Sequence, residues 1–77
     1  MEVDKTLDCI GLYCPMPIVK TAQAINSLQA GQVLEVLADD PGIKSDMPAW
    51  AGKTGNEFLG FEEEGREIKV YVRKGGG

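Results

Sequence analysis

Val33-Leu34-Glu35-Val36-Leu37-Ala38-Asp39-Asp40-Pro41-Gly42 is the stretch that decides the fold. Leu34, Val36 and Ala38 fall on one side of an extended chain, and Val33, Glu35 and Leu37 on the other. Period-two spacing with one face apolar and the other only partly polar predicts a central strand over Gln32–Ala38. Asp39-Asp40-Pro41-Gly42 then ends it. Asp40 is suited to cap a following helix with Pro41 at its first position, because the first amides of a helix have no intrahelical partner.

Upstream, Lys5–Cys9 alternates polar and apolar residues, placing Leu7 and Cys9 on one face, and Gly11 stops it. A short first strand is predicted there. From Pro15 to Gln29 the apolar residues Ile18, Ala22, Ile25 and Leu28 take helical spacing, with Gly31 as the expected C-cap. Downstream, Ile43, Met47, Trp50 and Ala51 form the stripe of a weaker helix over Gly42–Thr54, which Pro48 is expected to bend. Asn56–Glu63 and Glu67–Arg73 predict a strand pair turning at Glu64-Gly65-Arg66, with Ile68, Val70 and Val72 inward. The order β-α-β-α-β-β predicts an α/β (α+β) two-layer sandwich: a mixed four-stranded sheet with two helices on one face. One domain, residues 1–77, is expected, with Gly75-Gly76-Gly77 as a flexible tail. The open sheet face would carry Val33, Glu35, Leu37, Lys69, Tyr71 and Arg73, either as a partner surface or as an ordinary solvated face.

Composition removes many chemistries. Twelve acidic against eight basic side chains give a net charge of -4, the wrong sign for a direct nucleic-acid binder. The chain has no histidine, so it has no Ser–His or Cys–His pair. Two cysteines, Cys9 and Cys14, are too few for a disulfide scaffold and make a poor zinc site; no metal and no cofactor is expected. Apolar runs are far too short for a membrane span, and Met1-Glu2-Val3-Asp4-Lys5 has no signal-peptide pattern. A cytoplasmic setting is expected.

Chemistry concentrates at Cys14-Pro15-Met16-Pro17. With Cys14 as N-cap, Pro15 and Pro17 occupy the first and third helical positions, where their missing N–H groups cost nothing. The helix N-terminus would lower the thiol's pKa, with the Met16 N–H as its main nearby donor, giving a moderately activated, accessible nucleophile. The plainer reading makes Cys14 a small hydrophobe and the prolines helix-start punctuation. Cys9 is expected in or near the core, or else as a resolving thiol for Cys14 in a redox switch. Asp39 and Asp40 read as capping residues rather than as acid/base carboxylates or a magnesium site. Lys20, the Glu62-Glu63-Glu64 run and Trp50 with Met47 read as solvated face, hairpin end and core; Arg66, Arg73 and Lys74 could dock an acidic partner.

Leu7-Asp8-Cys9-Ile10-Gly11-Leu12-Tyr13-Cys14-Pro15-Met16-Pro17 resembles the L-D-x-x-G-x-x-C-P-x-P signature of the TusA/SirA/YedF-type sulfur-carrier family. Gly31, the Ala38-Asp39-Asp40-Pro41 corner and the Arg73-Lys74-Gly75-Gly76 ending also look like that family. The resemblance implies that Cys14 alone takes up sulfur as a persulfide; Gly11, Pro15, Met16 and Pro17 are read as the motif's positioning residues. It implies a protein sulfur donor, such as a cysteine desulfurase or rhodanese, and a protein acceptor, and a sulfurtransferase only in the stoichiometric sense. The Gly75-Gly76-Gly77 ending also permits a C-terminal thiocarboxylate carrier, although the element order differs from ubiquitin-like carriers. A non-catalytic interaction or regulatory module with a structural Cys14 is the other class.

Overall fold

A computed structural model of the chain describes residues 2–75. Its elements run β1 (Lys5–Asp8), α1 (Met16–Ile25), β2 (Val33–Ala38), α2 (Ile43–Thr54), β3 (Glu57–Glu64) and β4 (Glu67–Arg73). The four strands make one mixed sheet in the order β1-β2-β4-β3. β1 and β2 pair in parallel, as a right-sized βαβ crossover through α1 requires. β4 lies antiparallel to both β2 and β3, so the terminal hairpin folds back and inserts its last strand beside β2. The α+β two-layer architecture expected from the element order is the one observed.

The core forms where the two central strands meet the helices. Leu34, Val36 and Ala38 of β2 and Val70 and Val72 of β4 are wholly inaccessible, and Ile68 nearly so. Val36 stands directly opposite Val70, and Leu34 opposite Val72. α1 adds Ala24 and Ile25, and α2 adds Ile43 and Met47. The one buried polar side chain among the described residues, Thr21, donates its hydroxyl to the Pro17 carbonyl at 2.7 Å, so its burial leaves no orphan.

The structure corrects both helix boundaries. α1 ends at Ile25 with Asn26 as its C-cap, short of the Gln29 and Gly31 expected from periodicity. Ser27 and Leu28 instead donate to Ala24 and Ile25 in tight i→i+3 turns, which still bury Leu28. Gly31 belongs to the next connection and donates to the Lys74 carbonyl at 2.9 Å. At α2, Gly42 and not Asp40 is the N-cap. Ile43 and Lys44 first donate to Asp40 and Pro41 in another tight turn, pushing the helix start two residues along. α2 runs through Pro48 and closes at Gly55 in the left-handed conformation, where the Asn56 amide reaches the Ala51 carbonyl at 2.9 Å.

β3 carries a register shift between Phe58 and Gly60, which re-aims its second half. Phe58 packs on the core, whereas Phe61 is exposed with Lys44 stacked 5.8 Å from its ring centre. Lys44 also pairs with Glu63, and Arg73 pairs with Glu57 across the strands at 2.9 Å. Gly75 is not part of a free tail: its amide donates to Asn56 Oδ1 at 2.9 Å. A side chain there would collide with the Gly55 carbonyl, 1.7 Å from a built Cβ. The expectation for Gly76 and Gly77 lies outside the described residues.

On the open face, Val33 is buried, and Thr6 donates to Glu35 at 3.2 Å. Burial and the Glu35 hydrogen bond, with the charges of Glu35 and Glu62, push the Tyr71 hydroxyl up to about 12. That face thus sets the polar pair Glu35 and Tyr71 among the apolar side chains Val33 and Leu37.

Leu34→Ala removes the bulkiest wholly inaccessible side chain of the central strand. Chemical denaturation of this variant is expected to show a loss of about 2–5 kcal/mol.

Candidate functional site

The parallel pairing of β1 and β2 brings their outgoing loops to the same edge of the sheet, where α/β folds commonly place ligand or partner chemistry. The first loop runs from Cys9 to Pro15. Its start is fixed in the core: the Cys9 side chain is wholly buried and its amide donates to Leu37 at 2.7 Å. Burial, then the neighbouring Asp8 charge, pushes the Cys9 thiol up, against a smaller opposing pull from Lys20. Asp8 Oδ1 accepts the Ile10 amide at 3.0 Å, and Gly11 turns the chain at φ +85, a conformation that only glycine adopts without strain.

Carboxylates from the second loop then hold the first. Asp39 Oδ1 accepts the Gly11 amide at 3.1 Å, and Asp40 Oδ2 accepts the Cys14 amide at 2.9 Å. The other oxygen of Asp40 accepts the Gly42 amide at 3.0 Å. One side chain thus ties the cysteine loop to the entry of α2. Two backbone hydrogen bonds, from Cys14 and Gly42, hold the Asp40 carboxyl below the usual carboxylate range. Asp40 thus joins the two loops without being the N-cap, and Asp39 serves the loop rather than a helix.

Cys14 itself departs from the expected geometry. The N-cap of α1 is Pro15, with Met16 as the first helical residue and Pro17 the second. The Met16 amide donates to the Tyr13 carbonyl at 2.8 Å and is not available to sulfur. The Cys14 S–H donates instead to Asp46 Oδ2, at 2.8 Å. This overturns the expected activation. The hydrogen bond to Asp46 pushes the thiol up, and partial desolvation and the charges of Asp46 and Asp40 act in the same direction. An S–H that donates to a carboxylate is stabilised as the neutral form.

The sulfur is nonetheless reachable. Cys14 is exposed, and four large apolar side chains crowd the same segment in exposed positions: Ile10, Tyr13, Met16 and Val19. Tyr13, with 75% of its surface open, stands beside Cys14 in the loop. An open, largely apolar groove passes Cys14, Pro15, Ile18, Ala49 and Trp50, with Asp46 and Lys53 at its edges. Among the described residues, no three His, Cys, Asp or Glu side chains converge as a metal-ligand set. Nor is any described helix long and apolar enough to cross a membrane.

A protein-family model described as sulfurtransferase TusA matches residues 5–74. The chain belongs to the TusA family. Sulfur carrier protein TusA of Allochromatium vinosum is 41% identical over 95% of this chain and 96% of its own length. YrkF of Bacillus subtilis, described as a candidate sulfur carrier protein, is 50% identical over 99% of this chain; the chain spans only 41% of that relative's length. The crystal structure of a SirA-like protein from Desulfitobacterium hafniense superposes with a TM-score of 0.75, at 30% identity, covering 92% of this chain and 97% of that one.

Of the residues singled out in the sequence of this TusA-family chain, Gly11, Cys14, Pro15, Met16 and Pro17 share one loop-to-helix junction. Pro17 is buried against the core while Met16 is turned outward. Arg73 is paired with Glu57, and Lys74 Nζ donates to the Leu28 carbonyl at 2.7 Å, so neither stands free. Sequence reasoning missed Asp46 altogether. A usable signal existed: the predicted βαβ order puts the start of α2 and the cysteine loop at one sheet edge, and Asp46 is the acidic residue of the first turn of α2.

Removing the Asp40 carboxylate in Asp40→Ala is expected to speed hydrogen exchange at the Cys14 and Gly42 amides, leaving the β2–β4 amides unchanged. Because Asp40 titrates below its ordinary value of 3.8, the loop's protection is fully present above that value. It is lost as pH falls through the lowered one, which exchange measured along an acid series checks.

Proposed function

We propose that residues 1–77 act as a single sulfur-carrier domain, which takes sulfane sulfur as a persulfide on Cys14 and passes it to an acceptor protein in the cytoplasm. The observation that carries this reading is an exposed thiol on a loop fixed by carboxylate–amide bonds, in a member of the TusA family. Relatives bearing the name sulfur carrier protein support it.

The parts have distinct roles. Cys14 is the nucleophile and the carrier of sulfur. Gly11 turns the loop, Pro15 and Pro17 stiffen the start of α1, and Met16 offers an apolar contact beside the sulfur. Tyr13, Ile10 and Val19 extend that contact, which suits recognition by proteins better than by nucleic acid. The donor is a protein persulfide of the cysteine desulfurase or rhodanese kind.

Transfer is an exchange between sulfur atoms. Cys14, losing its proton, attacks the outer sulfur of the donor persulfide, and the donor's inner sulfur leaves as a thiolate. The same chemistry with an acceptor thiolate empties the carrier. With the Cys14 thiol pushed up, the free protein carries less thiolate than an ordinary cysteine would at neutral pH. A base in the partner's site would assist removal of the proton. Neither cofactor nor metal takes part in such an exchange.

Incubation with a cysteine desulfurase and cysteine is expected to add one reducible sulfur atom to the intact mass. The gain should vanish in Cys14→Ser and persist in Cys9→Ser. Equal loading of both cysteines, or none with several donors, would sink the carrier reading. A mass loss corresponding to a Cys9–Cys14 disulfide would replace it with a redox switch.

A further inference from the structure

Asp46 is an acidic residue of the first turn of α2, where a carboxylate also complements the helix dipole. It makes no capping bond with α2, and among the described residues no lysine or arginine pairs with it. Its hydrogen bond there is the one it accepts from the Cys14 thiol. The two side chains, in contact at 2.8 Å, line a notch together with Pro17, Ile18, Ile43 and Asp40. The notch has no room for a water molecule. The Asp46 carboxylate is partly buried and takes the thiol proton's hydrogen bond at 2.8 Å, while the Cys14 side of the pair is open to solvent.

We infer that Asp46 is a positioning residue that sets the poise of Cys14 between its empty and sulfur-loaded forms, by favouring the neutral S–H over an anion on that side chain. This rests on the carrier reading above and extends it to the question of how tightly sulfur is held.

The exchange balances as Cys14–SH plus R–S–SH giving Cys14–S–SH plus R–SH. A bond forms between Cys14 Sγ and the donor's outer sulfur, and the donor's own S–S bond breaks. Its electron pair leaves with the donor's inner sulfur, which is reduced as Cys14 Sγ is oxidised. The proton of Cys14 ends on the departing thiolate. Once loaded, Sγ bears no hydrogen, so the bond to Asp46 is lost. A persulfide is a stronger acid than its thiol, so the outer sulfur carries negative charge and meets Asp46 from α2 and Asp40 from the preceding loop. Lys53, further along α2, edges the outer groove, and the facing part of α1 supplies only Pro17 and Ile18. The net effect favours the empty carrier, so that sulfur is held loosely and leaves readily. The upward push on the free thiol has the same origin.

The test uses the full chain with Cys9→Ser, alone and combined with Asp46→Asn or Asp46→Glu. Each protein is equilibrated with glutathione hydropersulfide and glutathione, and the loaded-to-free ratio is read by intact mass. Iodoacetamide alkylation of Cys14 is followed against pH in parallel. Asp46→Asn is expected to raise the loaded-to-free ratio severalfold and move the alkylation profile to lower pH, while Asp46→Glu stays near the parent. A ratio that is unchanged or falls in Asp46→Asn overturns the inference, as does an unmoved alkylation profile. Should Asp46→Asn fail to fold, Asp46→Ser carries the same expectations. Failure of the parent to load from any protein donor would defeat the carrier reading, yet the small-persulfide ratio would still decide the role of Asp46.

Discussion

The Asp40 carboxylate accepts two backbone amides at once, one from Cys14 and one from Gly42, and the site depends on that pair of hydrogen bonds. One oxygen holds the cysteine loop and the other holds the turn into α2. Remove it, and the two loops leaving the parallel strands lose their common anchor. Asp39 reinforces the arrangement at Gly11, and the buried Cys9 pins the loop's origin in the core. An exposed loop would normally be mobile. Here side-chain oxygens from the neighbouring loop supply the partners that a strand or helix would have given its amides.

That clamp also decides where Cys14 stands relative to the helices. A cysteine serving as the N-cap of α1 would sit in the field of the helix amides. With Pro15 at the cap, Cys14 lies outside α1 and meets α2 instead, through Asp46. The positive end of one helix is exchanged for a carboxylate on another, and the thiol is restrained rather than activated. Accessibility and reactivity are thereby separated: the sulfur is exposed, while its S–H is held by Asp46, which favours the neutral form.

The strands, their faces and the element order were legible in the sequence because periodicity reports burial, and burial decides these elements. Leu34, Val36, Ile68, Val70 and Val72 all point where their spacing places them. Helix ends were less legible, since i→i+3 turns at Ser27–Leu28 and Ile43–Lys44 compete with α-helical bonds at almost equal cost. The candidate cysteine was evident from its motif, but its environment was not. Asp40 and Asp46 stand 26 and 32 residues from Cys14 in sequence, and no local pattern connects them. Only the parallel pairing of β1 with β2 implies that these segments meet, and even that fixes the edge of the sheet and not which oxygen faces the sulfur.

A carrier has different needs from an enzyme that completes its reaction alone. An enzyme lowers one barrier and gains from a strongly stabilised nucleophile. A carrier takes part in two exchanges that run in opposite directions on the same atom, so whatever stabilises the loaded state in the first opposes release in the second. A thiolate deeply stabilised by helix amides or by a cation would stabilise a persulfide anion as well, and would retain the sulfur. Carboxylates beside Cys14 act in the other direction, disfavouring both anions. The cost is a smaller thiolate fraction on the free thiol, which a protein partner can offset by supplying the base and the electrostatic environment while docked. A chain without histidine and with a net charge of -4 suits such a role: Asp40 and Asp46 line the notch at Cys14, and Lys53 is the one cation lining the adjoining groove.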